Sequence, residues 1–199
     1  MEQVIVGKPA LIVVDMQKDG FLPVEESGIP HMAGYAGRIA MVGGLVAACR
    51  MSGVPVVFFQ EAHRRDLVDF GRELDGVETV HCLEGAPGTD IVDELTPMPT
   101  DYRITKRRYS CFFGTDLEIL LKGIKAETLI LVGGLTDVCI HYTFVDAHQH
   151  DYHVRVVEDC VGGSSEAAHH AALNAMQYLQ RGARVRAVDI LDALIEVPA

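Results

Sequence analysis

Positive charge is scarce in this chain. Only 17 lysines and arginines stand against 28 aspartates and glutamates, a net charge of −11. Nucleic acids and anionic membranes are bound by basic patches. Here the positives are scattered, apart from Lys106-Arg107-Arg108, so neither partner is expected. Long apolar runs are missing as well; none approaches the roughly 20 residues of a membrane-spanning helix. Met1-Glu2-Gln3 is not a basic start, and residues 10–14 are too short for the apolar core of a signal peptide. A cytoplasmic setting follows as an expectation. There is no CxxC pair: the five cysteines (49, 82, 111, 139 and 160) are odd in number and widely spaced. That fits reduced thiols better than a disulfide framework. GxGxxG and GxxxxGK[ST] are absent, so Gly133-Gly134 is not a nucleotide fingerprint. No repeat, low-complexity tract or linker divides the chain, and one domain over residues 1–199 is expected.

What is present reads as a soluble globular fold. Apolar residues make up 49% and charged residues 23% of 199 residues, enough to bury a full core. The positive mean hydropathy hints at a buried subunit interface, so a homo-oligomer, dimer or tetramer, is expected. Short apolar runs at 10–15, 55–60, 102–105, 128–132, 153–158 and 184–188 predict six strands. Helical spacing covers 36–51, 138–150 and 165–181. Thr115 to Glu118 has capping-box spacing and opens a helix to about Gly123. A short helix is expected near 90–95 and another at the C-terminus. Strands alternating with helices imply an α/β fold with a parallel sheet covered on both faces.

In open parallel sheets the ligand crevice lies at the carboxyl ends of the strands. Asp15 ends the first strand, and Gln60, Glu61 and His63 follow the second. Lys106 follows the third, Cys139 the fourth, and Asp159 and Cys160 the fifth. An acid, a base and a thiol thus share one rim. A cysteine in the first turn of a helix faces free backbone N–H groups and the positive dipole end, which favour thiolate and can hold an oxyanion. Cys139 is therefore the best nucleophile candidate of the five. A free cysteine is equally often just a small buried apolar residue. Asp15 could be a plain strand-end carboxylate, and Lys106 a surface lysine.

Three blocks, ALIVVDMQKDGF with Asp15, ITKRRYSCFFGTDLEILL with Lys106 and LILVGGLTDVCIHYTFVDAHQHDYHVRVVEDC with Cys139, together resemble the isochorismatase-like cysteine hydrolases. Lys106 and Cys139 stand 33 residues apart, the usual interval in that family, and HCLEGAPGTDIVDEL is similar to its connecting segment. The resemblance implies a three-layer α/β/α sandwich with strand order 3-2-1-4-5-6. It implies a Cys139–Asp15–Lys106 triad. Cys139 attacks an amide or ureido carbon, Asp15 takes the thiol proton and later activates water, and Lys106 orients Asp15. It also implies a non-proline cis peptide at Leu135–Thr136, with the Leu135 or Thr136 N–H joining that of Cys139 at the oxyanion. True isochorismatases usually lack the cysteine, so Cys139 argues against vinyl-ether chemistry. Metal-dependent nicotinamidases carry an Asp-x-His pair and a further histidine. Here the pair is Glu61-Ala62-His63, with only Asp66 or the distant His81 to follow, so no metal and no cofactor are expected.

The expected activity is hydrolysis of a C–N bond in a small amide or ureido compound through an acyl-enzyme. The alternatives are a nicotinamidase-like activity or a catalytically silent binding protein of the same fold. Phe21, Gln60, His63, Phe113 and Tyr142 are candidates to line the pocket, against ordinary core or rim packing for each. Phe21 is favoured because it follows the Asp15 block. His148, His150 and His153, like His169-His170, are read as solvated histidines rather than metal ligands.

Overall fold

The computed structural model describes residues 3–195. Its centre is a six-stranded parallel sheet in the order β3-β2-β1-β4-β5-β6. The strands are β1 (Pro9–Val14), β2 (Val56–Glu61), β3 (Tyr102–Lys106), β4 (Thr128–Gly134), β5 (His153–Gly162) and β6 (Arg184–Val185). The helices are a single turn, α1 (Val24–Ser27), then α2 (Tyr35–Met51), α3 (Leu117–Ile124), α4 (Cys139–Gln149), α5 (Glu166–Leu179) and α6 (Ala187–Ile195). The expected strand order is the observed one.

Every residue of β1 is buried, because helices cover both sheet faces. Alternate side chains point to opposite faces, and the two cores divide accordingly. Leu11 and Val13 pack with Ile39, Val42, Leu45 and Ile190, from α2 and α6. Ala10, Ile12 and Val14 pack with Leu121, Ile140, Phe144 and Leu173, from α3, α4 and α5. Truncating a fully buried residue such as Ile12 to alanine would cost about 2–5 kcal/mol.

Four expectations change. The helix expected near 90–95 is only a 3₁₀ turn, Asp93–Leu95, since the apolar spacing there spans barely one turn. The capping box does not close. Thr115 Oγ1 accepts from Leu117 N at 3.2 Å, while Glu118 pairs with Lys122. The last strand is two residues long, because 187–195 continue as α6. The fifth strand instead runs four residues further, to Gly162. A register shift between Leu131 and Gly133 brings Gly134 opposite Gly162. Gly133 must be glycine: its φ is +112°, and a Cβ would lie 2.0 Å from the Val14 carbonyl oxygen. No helix among the described residues is long and apolar enough to cross a membrane.

Candidate active site

The carboxyl ends of the three strands on one side of β4 converge on a single ammonium group. In the parallel register Glu61 lies opposite Lys106, which turns both side chains to the same face. At the end of β1 the chain swings through a left-handed turn at Asp15 (φ 50°), a conformation Asp and Asn tolerate better than other L-residues. Lys106 is completely buried. Its Nζ lies 2.8 Å from Asp15 Oδ2, 3.0 Å from Glu61 Oε2 and 3.4 Å from Cys139 Sγ. Oxygens of Asp15 and Glu61 and the sulfur of Cys139 all fall within 4.8 Å of one another. Cys139 opens α4, at the end of the glycine-bearing turn that leaves β4.

The charges explain the protonation states. Burial would strip the proton from Lys106, but the negative groups at Asp15 and Glu61, with the Cys139 sulfur beside them, outweigh it and hold the ammonium well above its usual range. Burial raises Asp15, against the pull of Lys106, to about 6. Burial also pushes the Cys139 thiol well above its usual value, with Asp15 and Glu61 adding to it and Lys106 opposing. The helix-terminus argument for a resting thiolate therefore does not hold. One lysine already serves two carboxylates, and a third negative group in the same dry space is unfavourable. The resting pair at neutral pH is a thiol beside an ionised carboxylate.

Above these groups opens a cavity of about 90 Å³, walled in part by Asp15, Tyr35, Arg38, Glu78, Tyr109 and Leu135. The turn between β4 and α4 forms its floor. The cis bond falls at Gly134–Leu135, one residue before the expected Leu135–Thr136. Thr136 is also excluded as an oxyanion donor, since its N–H already donates to Gly162 O at 2.9 Å. Among the described residues, the Leu135 and Cys139 N–H groups have no acceptor, and both residues line the cavity. The turn is clamped from behind: Thr136 Oγ1 is 2.9 Å from His169 Nδ1, and Asp137 accepts from Ser164 N and Oγ at 2.8 and 2.6 Å. His169 is thus buried and bonded, not solvated.

A family model, the isochorismatase domain, matches residues 9–189. Ureidoacrylate amidohydrolase RutB of Rhizobium rhizogenes is 33% identical over 174 residues, which cover 77% of this chain and 70% of that protein. The chain belongs to the isochorismatase family. N-carbamoylsarcosine amidase from Thermoplasma acidophilum superposes with a TM-score of 0.73 at 27% identity, over 91% of this chain and 97% of the other. Pyrazinamidase of Pyrococcus horikoshii, solved in complex with zinc, superposes at 0.78 and 29% identity, over 90% and 99%.

Within this isochorismatase-family site, none of the five expected pocket residues lines the cavity. Phe21 is 52% exposed and packs edge-on against Tyr35, which does line it. Tyr142, 57% exposed, plays the same part behind Tyr109. Phe113 is 65% exposed. Gln60 turns its amide to the Thr89 carbonyl at 2.7 Å. His63 is stacked on Phe70 and lies beneath Glu61, with Nε2 3.1 Å from Glu61 Oε1 and 3.2 Å from Glu73 Oε2. These five sit one layer too far out or too deep. Sequence position placed them near the rim but could not say which way each loop turns.

The argument against a metal rested on the lack of a third ligand. The fold supplies one, and it is not Asp66. His81 Nε2 lies 3.5 Å from Glu61 Oε1, and Glu61, His63, Glu73 and His81 are all buried with ligand atoms within 4.8 Å. His81 Nδ1 faces the Thr79 carbonyl at 2.6 Å, so in the neutral ring Nε2 would carry the lone pair. Neither Glu73 carboxylate oxygen has a hydrogen bond of good geometry. This donor set fits a divalent cation of the zinc class. Gln17 holds the assembly in place: its buried side chain donates to Glu61 O and Thr89 O, at 2.9 and 2.8 Å, and accepts from Glu61 N at 2.9 Å.

Proposed function

We propose that this chain is a cysteine amidohydrolase that cleaves a C–N bond of a small amide or ureido compound through an acyl-enzyme. One observation carries the reading: the Lys106 ammonium bridges Asp15 and Cys139, and both of these line one small cavity. On substrate binding, the Cys139 proton passes to Asp15 as sulfur attacks the carbonyl carbon. The carbonyl oxygen gains the electron pair and is held by the Leu135 and Cys139 N–H groups. Collapse breaks the C–N bond, and Asp15 returns its proton to the departing ammonia or amine. Asp15 then deprotonates a water molecule whose oxygen attacks the acyl carbon; the C–S bond breaks, the acid leaves, and Asp15 returns the proton to sulfur. Lys106 stays charged throughout and sets the position of Asp15.

The name of the relative at 33% identity, an amidohydrolase of ureidoacrylate, supports a ureido substrate; the pyrazinamidase and the N-carbamoylsarcosine amidase do not separate that class from aromatic amides. Glu61, His63 and His81 would hold a divalent ion if one binds, and it would supply a Lewis acid for the carbonyl or for water. Ammonia release from a panel of ureido acids, biuret, nicotinamide and maleamate tests the reading, run beside Cys139→Ala. The expected result is turnover of at least one ureido compound and none by the variant. Turnover retained by folded Cys139→Ala, or a thioester never trapped by acid quench and mass spectrometry, would refute it.

A further inference from the structure

The cavity is electrically lopsided. Asp15, Asp19, Glu61 and Glu78 line one side, from the ends of β1 and β2 and the loop beyond. The first and third of these are held by Lys106, and Glu78 accepts from Tyr109 OH at 2.8 Å. The opposite side, built by Gly134, Gly162 and the start of α2, carries no acid and one cation, Arg38. That guanidinium spends only part of its capacity. Nη1 donates to Ala33 O at 2.7 Å and Nη2 to Met32 O at 3.1 Å, two of the five N–H groups it owns. Among the described residues it makes no ion pair; Glu166 acts on it only from a distance. A half-buried arginine without a carboxylate is costly unless something else supplies one.

Its place relative to the chemistry follows from the sheet. Arg38 lies over Gly162: a Cβ there would meet its guanidinium carbon at 2.6 Å. Gly162 is the register partner of Gly134, the residue that leads into the oxyanion turn. Adjacent strands are about 4.8 Å apart, so Arg38 stands one strand across from the oxyanion turn. A second unsatisfied group lines the same cavity. His31 Nε2 faces the Leu22 carbonyl at 3.0 Å, and its buried Nδ1 has no partner. With Nε2 donating, Nδ1 is an acceptor that wants an N–H.

We propose that Arg38 and His31 select a small ureido acid, with the substrate carboxylate on the Arg38 guanidinium and its secondary N–H on His31 Nδ1. This deepens the amidohydrolase reading and rests on it for the position of the reacting carbon. The four acids opposite repel the carboxylate and so fix one orientation. Neutral amides lack the first group, and maleamate-type acids lack the second.

The test is binding by titration calorimetry to Cys139→Ala, with N-carbamoylglycine and its methyl ester as probes. The acid should bind at least tenfold more tightly than the ester. Arg38→Met should erase that preference, while Arg38→Lys keeps part of it. His31→Phe should weaken acid and ester alike, because both carry the N–H. A preference for the acid that survives Arg38→Met, or no preference to begin with, overturns the proposal. If Arg38→Met fails to fold, as the lost bonds to Met32 and Ala33 could cause, Arg38→Lys decides: an acid-to-ester ratio of one in that variant refutes it. Acid binding that needs Arg38 without turnover in the wild type would sink the amidohydrolase reading and leave the carboxylate site standing.

Discussion

Asp15→Asn should make the protein more stable and inactive at the same time. Asp15 has its carboxyl raised from 3.8 to about 6 in the fold, so the folded state holds that proton more tightly than the unfolded chain. By linkage, stability then falls as pH rises through the window between those two values. The full shift corresponds to about 3 kcal/mol at pH 8, since each pKa unit is worth roughly 1.4 kcal/mol. Asparagine keeps the shape, tolerates the φ of 50° and cannot ionise. It also leaves Lys106 with Glu61, 3.0 Å away, as a neutral pair. The gain should be a rise of about 6–12 °C in Tm for a chain of this size, at pH 8. It should fall to about half at pH 5, where Asp15 in the wild type is mostly protonated. The chain has no tryptophan, so urea and thermal unfolding are best followed by far-UV circular dichroism, with EDTA present to fix the charges around Glu61. A variant less stable than wild type at pH 8, or a gain equal at both pH values, would refute the reasoning.

Other outcomes follow from the same geometry. Because Asp15 must be ionised to take the thiol proton, kcat/KM should fall tenfold per unit below about pH 6; a flat profile down to pH 5 would remove Asp15 as the base. Lys106→Met leaves the buried Asp15 without its cation, while Glu61 keeps His63 and His81 beside its other oxygen, and should cost about 3–5 kcal/mol at pH 7. Part of that loss should return at acid pH as Asp15 protonates, and a pH-independent loss in urea denaturation would contradict the ion-pair account. Gln17→Leu strips partners from Glu61 N and Glu61 O, each worth about 1–3 kcal/mol when buried unpaired, while Thr89 O keeps its bond from Gln60. A change under 1 kcal/mol in denaturant midpoint analysis would show that water replaces the amide.

The six strands and the strand-end positions of Asp15, Lys106 and Cys139 were legible because periodicity and strand-end location are local properties; the order of the strands came only with the family resemblance. The strand ends of β1 and β3 and the start of α4 could be read from apolar runs and the Gly133-Gly134 break alone. The cavity wall was not legible. Arg38 and His31 lie on either side of a glycine-bearing turn at Gly34 (φ 90°), and only the path of that turn brings Arg38 over Gly162 and His31 to the cavity. His81 is 20 residues beyond Glu61 in the sequence, with no periodic element between them to fix its direction. A strand register, by contrast, would have found Glu61: pairing β2 with β3 places it beside Lys106 as soon as both strand ends are known.

The protonation state of Cys139 shows why local rules mislead at such a site. A helix N-terminus lowers a thiol pKa in isolation, but its effect is worth about 0.3–1 kcal/mol at an exposed end and up to ~2 when partly buried. Removing a thiolate from water beside two carboxylates costs several kcal/mol. The larger effect wins, and Cys139 rests as the thiol. That arrangement suits a hydrolase with a carboxylate base. In the proposed mechanism the proton leaves sulfur only as the C–S bond forms, so negative charge would pass to the substrate oxygen without accumulating on sulfur.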